Sequence, residues 1–236
     1  PSGVGRPMPS VVSMRNGWAS TNQGCVPRRA EARAAISDAL QPISGTQMLP
    51  LLQAPVPDSA LLVRSRCRNR TCGLLHESER YQDMLDMTAA AFADAQAADS
   101  ACEMAQACGW RGLAQAALGL IEEAIHTLDE GLVHARRGDD QVLEGVILAN
   151  IGLLRIAVND LSLADADLSA AQALAARLGD HFIRAIAVSG RGRIDYLHDN
   201  KPAALVHFSE AVSTYRRLDM QYRVGNSLVS QAIVEV

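Results

Sequence analysis

The chain has 236 residues and a formal net charge of −4, and 48% of its residues are hydrophobic. That apolar fraction excludes disorder along the whole length, and the small negative charge offers nothing global to a nucleic acid or an anionic membrane. Aromatics amount to 4% while alanine supplies 38 residues, a balance that suits closely packed helices better than sheets.

No stretch approaches the roughly 18 apolar residues that a membrane span requires. The first residues lack a basic-then-apolar leader, so a cytoplasmic location and no membrane contact are expected. The five cysteines (Cys25, Cys67, Cys72, Cys102 and Cys108) are odd in number, and no two have the spacing of a zinc or redox motif. They read as reduced thiols acting as small hydrophobes.

Residues 1–57 form the first region. It holds eight of the nine prolines and carries +3, from five arginines against Glu31 and Asp38. Residues 1–26 show no helical or strand period and read as irregular or disordered. Pro27 to Leu40 admits one short helix with Ala30, Ala34 and Ala35 along a weak face. The later prolines forbid a long helix after it. Three net charges over 57 residues are too few for a nucleic-acid-binding arm.

Residues 58–236 form a second region, which reads as helical. Within 58–100, residues 79–100 fit a second helix of a repeat, with Met84, Ala91 and Ala95 in register, while 58–78 fit a first helix poorly. The run Arg64, Arg66, Arg68 and Arg70 spreads around a helix axis and is expected to be solvated or badly ordered.

From residue 101 a forty-residue period needs no gap, giving blocks 101–140, 141–180 and 181–220 and an incomplete last block, 221–236. Position twelve of each block is Gly112, Gly152, Gly192 and Ala232. Position five is Ala105, Gly145, Ala185 and Gly225. Positions twenty-four, twenty-eight and thirty-one read Ala124, Leu128, Gly131; Ala164, Leu168, Ala171; and Ala204, Phe208, Ala211. Each block contains two amphipathic helices. Asn159-Asp160 and Asn200-Lys201-Pro202 separate the helices of a block. Gly138-Asp139-Asp140 and Gly179-Asp180 separate blocks, with a glycine to end one helix and an aspartate to cap the next. A glycine inside a helix costs about 1 kcal/mol against alanine, so three at one register imply close approach of a partner helix.

These residues resemble the tetratricopeptide repeat pattern, and its forty-residue bacterial variety in particular. The resemblance covers 101–236 and implies a right-handed α-solenoid of antiparallel helix pairs. The aromatic that the pattern places three residues after the glycine is replaced by Gln115, Arg155 and Asp195. The family also implies a concave surface, made by the first helices, that holds a protein or peptide segment. Its groove positions fall on Gln106, Gly109, Leu113, Val146, Ala149, Leu153, Ile156, Ile186, Ser189, Arg193 and Tyr196. An apolar ligand with an acidic group for Arg193 fits that face. The competing reading is that Leu113, Leu153 and Ile156 only pack between helices.

In the last block, Val224, Leu228, Ile233 and Val236 would lack a second helix to cover them, which marks a missing continuation or a homodimer through residues 221–236. The resemblance places such repeats in the sensory halves of bacterial regulators, whose output domain is a diguanylate cyclase or a DNA-binding domain. No phosphate loop, zinc-protease motif or nucleophile elbow occurs, so no enzyme activity and no cofactor are expected. The nearest approach to a metal site is His198 with Asp195 and Asp199. Glu122, Glu123, Asp165 and Asp167 read as solvated charges on outer faces.

Overall fold

In a computed structural model, residue 52 and residues 54–235 are described. A short 3₁₀ turn, Asp58–Ala60, leads into α1 (Leu61–Glu77), followed by α2 (Tyr81–Ala97), α3 (Ala101–Ala117), α4 (Ile121–Arg137) and α5 (Gln141–Ala157). The chain continues through α6 (Leu161–Leu178), α7 (His181–Leu197), α8 (Lys201–Arg217) and α9 (Gln221–Glu235), and no strand occurs among the described residues. The expected helix at 27–40 and the irregular character of 1–26 lie outside the described residues, as do Cys25 and Val236.

Residues 58–100, read from the sequence as a degenerate repeat, hold the same register in α1 and α2, so blocks start at residues 61, 101, 141, 181 and 221. The weak first-helix pattern of 58–78 has a physical cause. Inward positions there are polar (Ser65, Asn69 and Thr71 are all buried); Thr71 bonds back to Cys67 in its own helix, while the partners of Ser65 and Asn69 lie in other helices. The Ser65 hydroxyl donates to the Ala91 carbonyl at 2.8 Å, and Asn69 Nδ2 donates to Glu103 Oε2 at 3.0 Å.

The arginine run is neither solvated nor badly ordered. Arg64 donates to both Asp94 oxygens at 2.6 and 2.7 Å, Arg68 reaches Asp94 Oδ2 at 2.5 Å, and Arg66 meets Glu103 at 2.8 Å. Arg68 also donates to the Leu52 carbonyl and Arg64 to that of Ala54, which fastens the entering segment to the end of the stack. Of the four, Arg70 is the one left exposed.

Turns follow a stricter rule than the helices: one residue in every twenty is left-handed. These are Glu79, Asp99, Gly119, Asp139, Asn159, Gly179, Asp199 and Asp219. The next residue's N–H then bonds to the carbonyl five residues back, at 2.8 to 3.0 Å in all eight turns. This is the Schellman closure of a helix end, and the short polar side chains of Asp and Asn tolerate its backbone.

Gly138 ends α4, as the sequence indicates, but without adopting that conformation. Its φ is −85°, and Asp139 takes the left-handed place. Gly138 serves close approach, since a Cβ there would sit 2.8 Å from Cys102 Sγ. The expected aspartate caps form: Asp140, Asp160 and Asp180 accept from the N–H groups of Leu143, Leu163 and Ile183, and Asn200 does so from Ala203.

Consecutive helices pack as neighbours from α1 to α9, and first helices also touch the next first helix (α1 to α3, α3 to α5, α5 to α7, α7 to α9). Second helices make no comparable approach to one another, so the first helices form the inner rank of an α-solenoid. Close approach depends on the small residues. A Cβ on Gly112 would lie 2.6 Å from Leu128 Cγ, one on Gly152 2.7 Å from Leu168 Cγ, and one on Gly192 3.0 Å from the Phe208 ring. Leu128, Leu168 and Phe208 are in consequence almost fully buried.

Candidate functional site

The inner rank is where the sequence places a ligand. Along α3, Gln106, Gly109 and Leu113 are buried, and along α5 so are Val146, Ala149 and Leu153; Ile186 of α7 is buried as well. For these seven the packing reading describes the side chains. Small residues draw the inner helices together, so positions that a wider groove would expose become their common floor. A Cβ on Gly190, for example, would meet Leu168 at 2.8 Å and Leu153 at 3.2 Å. At the N-terminal end, Trp110 fills the space beside Gly73.

The remaining four candidates, Ile156, Ser189, Arg193 and Tyr196, are part-exposed. They come from the C-terminal end of α5 and the second half of α7, one turn apart on α7; Ile156 packs against the main core and Tyr196 against Ala204, Phe208 and Val234. Burial pulls the Arg193 guanidinium below its ordinary value. A partly dehydrated cation can hold a carboxylate more firmly than a solvated one.

The residues that stand in place of the expected aromatic form a second pattern. Arg155 pairs with Asp167 by a short charge-assisted hydrogen bond, and Asp195 Oδ2 lies 2.6 Å from His207 Nδ1. Both pairs join block positions fifteen and twenty-seven. The same two positions hold Gln115 and Thr127 in the preceding block, and Leu75 and Met87 in the one before that, all buried. Asp167 is thus not a solvated outer-face charge: it is half-buried, and burial raises its pKa even with Arg155 opposing. Asp165 is likewise close to Arg191, at 3.5 Å. Glu122 and Glu123 are exposed, as expected.

Asp195 is engaged by His207 rather than by His198, and Asp199 serves a turn. Among the described residues no group of three His, Cys, Asp or Glu side chains could hold a metal ion. No described helix is long and apolar enough to cross a membrane. In α9, Val224 is buried against the stack, so the expected uncovered stripe narrows to Leu228 and part-exposed Ile233, with Val229 beside them.

No protein-family model matches the chain, and no curated protein matches it.

Proposed function

We propose that the chain is a protein- or peptide-binding scaffold of tetratricopeptide-like helix pairs, the regulatory part of a bacterial signalling protein. It holds an extended or helical segment against the C-terminal part of the inner face. The observation that carries this reading is that Ile156, Ser189, Arg193 and Tyr196 stay part-exposed on α5 and α7 while the other seven groove positions are buried. An aromatic ring and an arginine presented together are the side chains that most often dominate binding energy at protein interfaces. The ligand chemistry that fits is an apolar residue next to a carboxylate.

Selection of a random peptide-display library against the whole chain tests this. Enriched peptides should share an acidic residue beside an apolar one, and the Arg193→Ala, Tyr196→Ala double variant should weaken their binding at least about tenfold. Failure to enrich any peptide, or enrichment indifferent to that double variant, contradicts the reading.

A further inference from the structure

The turns within the first two blocks lie on one edge of the stack. Helices α1 and α3 run side by side in the same direction, with Asn69 and Gly73 of α1 against Glu103 and Trp110 of α3. Both therefore end on that edge. It is apolar and acidic. Leu74, Leu118 and Leu120 are 51%, 43% and 42% exposed, and Glu77, Glu122 and Glu123 are exposed as well. Across residues 74–83 and 117–125 the one arginine or lysine is Arg80, which is bonded to Asp83 at 2.6 Å. The opposite edge, where blocks join, carries the arginines of the last turns of α4, α6 and α8. A single exposed leucine is ordinary. Three with three carboxylates on one edge suit a segment that is both apolar and basic.

The chain itself holds such a segment, outside the described residues. In residues 27–40, Arg29, Arg33, Ile36 and Leu40 recur at steps of four, three and four, which is the spacing of one helix face. Where the chain enters the described structure, it comes from the side of the acidic edge. Traced backward from α1, the Ala54 carbonyl is held by Arg64 and the Leu52 carbonyl by Arg68, one turn nearer the C-terminal end of α1. Residues 41–51 can bridge up to about 36 Å. The end of α1 lies only about 14 Å beyond the level of Arg68, and α3 lies about 10 Å to the side.

We propose that residues 27–40 dock on this edge of their own chain, Arg29 and Arg33 facing Glu122 and Glu123, and Ile36 and Leu40 covering the leucines. A tether this short holds the segment at roughly millimolar effective concentration, which favours its own edge over that of a second copy. The surface is separate from the inner face that carries Arg193, and the proposal does not depend on the peptide-binding reading.

Trypsin reads the docking in the whole chain, because a docked arginine is cut slowly. Cleavage after Arg29 and Arg33, located by mass spectrometry, is compared with cleavage after Arg15, which lies outside the segment. The Glu122→Gln, Glu123→Gln double variant should speed the cuts after Arg29 and Arg33 about fivefold and leave Arg15 unchanged. Leu118→Ser with Leu120→Ser should act in the same direction, while Arg136→Ala, on the opposite edge, should alter none of the three cuts. Both glutamates are exposed, so the first variant should keep the parent's melting temperature. The proposal is overturned if both edge variants leave the cuts after Arg29 and Arg33 at the parent rate, or speed the cut after Arg15 equally. It is also overturned if protection in the parent rises with protein concentration, since the occupant would then come from a second copy.

Discussion

A glycine in this protein has an effect whose sign is set by what faces it. Gly225 has nothing within 4 Å of the place a Cβ would take. Gly225→Ala therefore gains helix propensity without a clash and should raise stability by about 0.5–1 kcal/mol, measured by urea unfolding. Glu123→Ala, on an exposed site, should stay within about 0.5 kcal/mol of the parent protein. Asp167→Ala is no such neutral control, because it strips Arg155 of its nearest counter-ion. The cysteines make a second test at this scale. Burial raises the Cys72 thiol far above its usual value and the Cys108 thiol to about 12. Since the thiolate is the reactive form, both should escape iodoacetamide at pH 8 in the folded protein. Both should be labelled after unfolding, with mass spectrometry locating the adducts.

At the scale of the element, α1 shows how far a pattern can be read without its partners. The hydrophobic stripes of α4, α6 and α8 can be read from 101 onward because each inward residue is apolar or small on its own account. In α1 the inward residues are Ser65, Arg68 and Asn69, and nothing local explains them. Their compensation comes from Ala91, Asp94 and Glu103, 26 to 34 residues away. The same limit applies to the turns, where the caps at Asp140, Asp160 and Asp180 follow from local chemistry. The close packing of Gly138 against Cys102, 36 residues away on the first helix of the same block, does not. Asp94 is the residue that turns the arginine run from a solvated feature into a structural one. Asp94→Ala leaves Arg68 buried without its carboxylate, and a broken buried pair costs about 3 kcal/mol or more. The variant should lower the urea midpoint accordingly, with Arg137→Ala, which loses only the exposed pair with Asp99, staying near the parent.

Across the whole molecule the repeat dictates the architecture but not the groove. Matched glycines and alanines predict helices stacked in pairs, and that arrangement is found. The same small residues bring the inner helices close enough to seal seven of the eleven groove positions. Sealing is a property of the distance between blocks, and no residue within one block reports that distance. The positions left part-exposed are accordingly at the C-terminal end of α5 and in the second half of α7, where larger residues, Ile156, Arg193 and Tyr196, follow the small ones. The claim beneath all of this is that the glycine of each first helix makes room for the large apolar residue of its second helix. The most direct measurement is a urea-unfolding cycle of the parent, Gly152→Ala, Leu168→Ala and the double variant. In the parent background, Gly152→Ala should destabilise by about 1–3 kcal/mol, because the new methyl collides with Leu168. In the Leu168→Ala background the collision is gone, and the same change should stabilise by up to about 1 kcal/mol. If Gly152→Ala stabilises the protein in both backgrounds, the glycine makes no room for anything and the account of the fold fails.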